Sequence, residues 1–114
     1  MDDNASFVEA ARKHLEYEGL RVVGTASTTA EALKRAKELR PDVMLVDISL
    51  GEESGFELIR RLAVTGDDNA PAAIVVSTHA ETDFADLIAE SEAIGFVPKP
   101  ELSADAIRRL YDAI

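Results

Sequence analysis

Three polar residues in this 114-residue chain stand where apolar runs stop, and an acidic pair joins them as a fourth set. Asp47 closes the run Val43-Met44-Leu45-Val46, Ser77 closes Ile74-Val75-Val76, and Lys99 follows Ile94-Gly95-Phe96-Val97 and a proline. Asp2 and Asp3 open the chain. Taken alone, an Asp after an apolar run is more often a turn cap than a reactive acid. Taken together, the set specifies a chemistry. Carboxylates brought to one spot repel, and at least one of them resists ionisation unless a cation sits among them. A hard divalent ion such as Mg²⁺ answers that need, since it takes oxygen ligands from one or two carboxylates and a phosphate. Lys99 adds a point charge for an anionic oxygen, and Ser77 a hydroxyl donor. The reaction such a group performs is attack of a carboxylate on a phosphoryl group, assisted by metal and lysine.

These residues meet only if the elements between them return to one edge. The run Val43–Asp47, unbroken and preceded by Pro41, suits a strand buried on both faces of a parallel sheet. Residues 20–26, centred on Val22-Val23, read as another strand, as do Ala72–Ser77 and residues 94–97. Helical spacing fills the gaps. Phe7, Ala11 and Leu15 recur every fourth residue, with Asn4 or Ser6 as cap and Gly19 as terminator. Residues 27–29 cap a helix through Ala32, Leu33, Ala36 and Leu39, which Pro41 stops. Ser54-Gly55 open a third helix (Phe56, Ile59, Leu62 and Ala63 inward). Phe84, Leu87 and Ile88 mark a fourth. Ser103 caps a last one carrying Ile107, Leu110 and Ile114, with Tyr111 beside them. Helices alternating with short strands imply crossover connections and a parallel sheet covered on both sides. In such sheets ligands bind outside the carboxyl ends of the strands. Asp47, Ser77 and Lys99 all fall there, and Asp2-Asp3 stand where a leading strand would finish.

Composition narrows the function classes. The length suits one domain able to bury a core without metal or disulfide support. A net charge of −10, with basic residues scattered as Arg12-Lys13, Lys34-Arg35, Arg60-Arg61 and Arg108-Arg109, argues against a nucleic-acid-binding surface. With no cysteine there is no thiolate zinc site and no Cys nucleophile. No apolar run approaches a membrane span and no signal peptide opens the chain, so no membrane association and a cytosolic location are expected. His14 and His79 read as solvent or packing residues. Residues 24–29 resemble a phosphate-cradling loop before a helix, but they lack a P-loop lysine and capping explains them.

The set Asp2-Asp3, Asp47, Ser77 and Lys99, separated by 44, 30 and 22 residues from Asp3 onward, resembles that of a response-regulator receiver domain. That family is the phospho-accepting half of two-component signalling, and the likeness runs from Asp2 to Ile114. The resemblance implies a single receiver domain over residues 1–114, with the doubly wound, flavodoxin-like parallel sheet of CheY and strand order 2-1-3-4-5. It implies that Asp47 is the phosphoacceptor. It makes Asp2, Asp3, Asp47 and the main-chain carbonyl of Ser49 the Mg²⁺ ligands, with Asp3 a direct one. Ser77 matches the switch hydroxyl, Phe96 the switch aromatic and Lys99 the family lysine, followed by a cis bond to Pro100. His79, two residues after Ser77, occupies a position over the site that tunes dephosphorylation. The implied partners are a sensor histidine kinase or a phosphotransfer protein, and the family also allows a homodimer through the fourth helix, last strand and last helix.

One departure stands out. The family's first strand, which lies mid-sheet between the second and third, is missing or truncated before Asp2. Its absence would leave two buried strand edges unpaired. A mis-assigned start is the expectation; direct pairing of residues 20–26 with the strand ending at Asp47 is the rarer option. The missing strand also motivates the alternative function, a pseudo-receiver that docks through its last two helices without phosphorylation. A haloacid-dehalogenase-type phosphatase is disfavoured because Ser49 stands where its second Asp belongs, and a flavin module because no clear phosphate loop follows the first strand.

Overall fold

A computed structural model describes residues 5–26, 28–47, 55–64, 71–77, 85–91 and 93–112, without the side chains of Ala5, Ala63, Val64, Ala85 and Leu87. Three parallel strands form the sheet: β1 (Val43–Asp47), β2 (Ala72–Ser77) and β3 (Gly95–Pro98), in that spatial order. Val43 lies opposite Ala72 and Asp47 opposite Val76, while Val75 lies opposite Phe96 and Ser77 opposite Pro98.

Each strand is apolar on both faces because each face carries its own core. Val46, Ala73 and Val75 join Ala32 and Ala36 of α2 (Thr29–Leu39) and Leu58, Ile59 and Leu62 of α3 (Gly55–Val64) on one side. Ile74, Val76 and Val97 join Leu15 of α1 (Ala5–Tyr17) and Ile107 of α5 (Ala104–Asp112) on the other. The expected doubly wound layering is therefore present. Leu58 is wholly inaccessible, and burying a side chain of that kind contributes about 1.5–3 kcal/mol. The short α4 (Ala85–Glu90) follows β2 and half-buries Ile88.

Helix ends follow their local chemistry. Thr28 Oγ1 accepts the Glu31 N–H at 3.1 Å and starts α2, the capping role expected of this stretch. Arg40 closes α2 in the left-handed region at φ 46°, and Pro41 prevents continuation. Gly19, at φ +97°, ends α1. Ser103 Oγ accepts the Ala106 N–H of α5 at 3.1 Å. The Ala104 N–H donates to Glu18 Oε1 at 2.9 Å, which ties the end of α1 to the start of α5. Of the two caps expected for α1, Ser6 lies inside the helix and Asn4 lies outside the described residues.

Two expectations are corrected. Residues 20–26 form no strand. A strand exists only where a neighbour takes its backbone hydrogen bonds, and among the described residues β1 pairs with β2 alone. A cavity of about 490 Å³, lined by Leu20, Val22 and Ala26 on one side and Val43 and Leu45 on the other, lies between that segment and β1. The family's first strand would run there. Direct pairing across this gap is thereby excluded too. The segment is held instead by side chains: Ala26 is buried in the α2–α3 core, and Leu20 and Val22 pack on the α1–α5 core. The second correction concerns Lys99–Pro100, which is trans. Lys99 leaves β3 directly into a single 3₁₀ turn (Lys99–Glu101), closed by the Leu102 N–H on the Lys99 carbonyl at 3.2 Å, and a trans bond continues that turn.

Candidate functional site

Parallel order brings the carboxyl ends of β1, β2 and β3 to one rim. Strands lie about 4.8 Å apart and rise about 3.3 Å per residue. Ser77 is one step beyond Val76, the partner of Asp47, so its Cα stands roughly 6 Å from that of Asp47 on a flat-sheet estimate. Lys99 is two strands over and two steps up, roughly 12 Å away by the same estimate. Only a long side chain bridges that span. Lys99 does so: its Nζ lies 2.8 Å from Asp47 Oδ2.

The pair is enclosed. The Asp47 side chain is 4% exposed and that of Lys99 11%. Ser77 is fully buried at the end of β2. Such burial makes a lone carboxylate or ammonium costly, and the two offset each other's desolvation only at close range. A third group completes the arrangement. The Lys99 ammonium lies over the face of the Phe7 ring, 4.3 Å from its centroid. Phe7 belongs to the first turn of α1, so the start of that helix is held at the rim.

Of the residues assigned a role from sequence, the structure brings Asp47 and Lys99 into contact and places Ser77 at the end of the neighbouring strand, one residue beyond Val76, the partner of Asp47. Phe96 lies on β3, two strands from Asp47 and opposite Val75 of β2, half-buried against the α2–α3 core. Asp2, Asp3, Ser49 and His79 lie outside the described residues. Among the described residues no group of three or more metal-ligating side chains forms. Sequence reasoning missed Phe7, taken there as a core residue. No feature of the sequence set it apart from the other apolar residues at helical spacing.

Fold and rim together define an α/β domain that keeps its reactive groups at the strand carboxyl ends, around one buried acid and one lysine. The chain belongs to the response regulator receiver domain family, whose sequence model matches residues 1–111. Receivers of this family are the phospho-accepting members of two-component systems, served by histidine kinases or phosphotransfer proteins. The chain is 32% identical over 95 residues to the response regulator GacA of Pseudomonas viridiflava, covering 83% of this chain and 44% of that protein. It thus spans less than half of that relative's length. Among solved structures it resembles the signal receiver domain of the putative response regulator NarL from Mycobacterium tuberculosis, with TM-score 0.82, 26% identity and 99% and 93% of the two chains covered. A response regulator from Burkholderia pseudomallei, solved with a phosphorylated aspartic acid, calcium ion and citrate, gives TM-score 0.78 at 26% identity, covering 96% of this chain and 62% of that one.

Proposed function

We propose that residues 1–114 form a single receiver domain that accepts a phosphoryl group on Asp47, assisted by Mg²⁺. The observation that carries the reading is the buried Asp47–Lys99 pair, 2.8 Å apart at the carboxyl rim of a parallel sheet. A carboxylate oxygen of Asp47 attacks the phosphorus of a phosphohistidine on a sensor kinase or phosphotransfer protein. The O–P bond forms as the N–P bond breaks, and the imidazole leaves with the electron pair and takes up a proton. Lys99 holds an anionic phosphoryl oxygen, and the Ser77 hydroxyl donates to another. Water later attacks the phosphorus, releases inorganic phosphate and restores the Asp47 carboxylate.

The donor set fits a hard cation. Asp2, Asp3, Asp47 and the Ser49 carbonyl are the residues we assign to Mg²⁺, all oxygen donors. Lys99 balances Asp47, and Asp2 and Asp3 then leave an excess of two negative charges, which a divalent ion offsets. Phe7 stands at the rim, and four residues of chain keep Asp3 within about 14 Å of it. When bound, the metal supplies charge neutralisation for the phosphoryl oxygens.

Phosphorylation adds roughly −1.5 to −2 charges at this edge. Ser77 drawn to the phosphoryl group makes room for Phe96, and the surface of α4, β3 and α5 is remodelled, the surface also used by a homodimer. Moving such an element from about 1:99 to 99:1 requires roughly 5.5 kcal/mol of preference for one state. Charge-assisted hydrogen bonds from Ser77 and Lys99, with the metal contact, supply interactions of that order. Among the described residues no helix is long and apolar enough to cross a membrane, and a kinase partner places the domain in the cytoplasm.

Acetyl phosphate with Mg²⁺ tests the reading. Intact-mass measurement is expected to show one added phosphoryl group on the parent and none on Asp47→Asn. Equal labelling of Asp47→Asn defeats the assignment. A parent that takes no label favours the docking-only alternative.

A further inference from the structure

We infer that Phe7 is a positioning residue for Lys99, holding the ammonium against Asp47 through the face of its ring. The inference deepens the phosphoacceptor reading and rests on it. Lys99 stretches across two strands and then carries its charge on a flexible four-carbon stem. Asp47 contacts that charge on one side at 2.8 Å and the Phe7 ring on another, 4.3 Å from the ammonium. The two partners differ in kind. Asp47 is consumed in the reaction: its oxygen forms a bond to phosphorus, and its charge moves outward onto the phosphoryl group. The ring is unchanged throughout. Its quadrupole attracts the cation while offering no lone pair, so it holds the ammonium in place and leaves the N–H donors for oxygen acceptors. An acidic side chain at position 7 would hold Lys99 as well but would compete with the incoming phosphate.

The arrangement is strongest where water is excluded. Lys99 keeps only 11% of its side-chain exposure, and cation–π attraction grows when the cation is desolvated. The ring comes from the first turn of α1, so its grip also couples the placement of Lys99 to that helix rather than to the 3₁₀ turn on which Lys99 itself stands.

The test compares Phe7→Leu, Phe7→Trp and a series with one, two and three ring fluorines at position 7, which drains the ring face stepwise while keeping its shape. Rates of labelling by acetyl phosphate with Mg²⁺ are read alongside thermal melts. Phe7→Leu is expected to slow labelling by between about twofold and thirtyfold, the span of a cation–π contact. Phe7→Trp is expected to retain the rate, and the fluorinated series to fall progressively with melting temperatures held. A flat fluorine series overturns the inference whatever Phe7→Leu does, because a merely packing role does not follow ring charge. Labelling of the parent tests the phosphoacceptor reading separately. If the parent takes no label, the ¹⁵N and ¹H signals of the Lys99 ammonium decide. Ring-shifted signals that relax across the fluorine series uphold the contact, and unshifted signals reject it.

Discussion

Lys99→Met removes the cation from the rim while keeping an unbranched apolar stem. The carboxylate left behind belongs to a side chain 4% exposed, so water cannot replace the ammonium. Deleting one partner of a buried pair costs about 3–5 kcal/mol, because a charge remains uncompensated. The lower end applies here, since Lys99 keeps 11% exposure and Asp47 has further contacts. About 3 kcal/mol is a large share of the 5–15 kcal/mol that holds a typical domain together. At about 4 °C per kcal/mol for a chain of this size it lowers the melting temperature by roughly 12 °C. The double variant Asp47→Asn/Lys99→Met removes both charges and is expected to regain at least ~2 kcal/mol of that loss. Urea unfolding of the parent, both single variants and the double variant measures the coupling directly. A coupling energy below about 0.5 kcal/mol, the level at which independent sites simply add, refutes the claim that these two groups compensate each other in a dry site.

Two further outcomes test the frame around the rim. A Cβ built at Gly95 would meet two Leu110 methyls at 2.5 and 2.8 Å, so Gly95→Ala is expected to destabilise by about 1–3 kcal/mol; if that clash is the cause, Gly95→Ala should cost less in a Leu110→Ala background than in the parent. The Glu57 carboxyl is held below its ordinary value of 4.5, first by hydrogen bonds from Arg60. A depressed carboxyl stabilises the fold above that ordinary value and loses its effect as pH falls through the folded value. Glu57→Gln is therefore expected to melt below the parent near neutrality, with the gap closing well under 4.5. A gap that persists in acid shows that charge is not its source.

The layers were legible because the pattern had one solution at each point. The unbroken runs Val43–Asp47 and Ala72–Ser77 suited strands covered on two faces; Ala73–Ser77 is buried as expected, while in β1 only Val46 and Asp47 are, and Val43, Met44 and Leu45 are half-buried beside the cavity. Thr28 and Ser103 could each be read as caps because short hydroxyl side chains before helical periods have few other uses. Residues 20–26 misled because a β-branched pair records only local preference. Whether it becomes a strand depends on a neighbour supplying hydrogen bonds, and that information lies elsewhere in the chain. The Asp47–Lys99 contact was legible from position at strand ends. The Phe7–Lys99 contact was not, because an apolar residue at helical spacing reads as core whether or not a cation lies on its ring. Phe7 does both.

The two-sided core raises a question about register that the site itself answers. In a half-exposed sheet a slip of one residue moves apolar side chains into water, and that penalty fixes the pairing. Here both faces are apolar, and a slip would merely exchange Val46 and Val75 with Leu45, Ile74 and Val76 between two cores of similar character. The ends of the strands are not interchangeable. Sliding β1 one step inward along β2 would set Asp47 opposite Val75, draw its carboxylate back from Lys99 and leave a charge in an apolar layer. Sliding β2 inward would do the same to the Ser77 hydroxyl. At the other end, the Ala72 N–H on the Asp42 carbonyl at 3.0 Å marks where β1 and β2 begin to pair. The polar residues that carry the proposed chemistry thus also pin the alignment that brings them together. A substitution such as Asp47→Leu is then more than the loss of a nucleophile: it removes the obstacle to a slipped pairing, and the neutral isostere Asp47→Asn is the variant that isolates the chemistry.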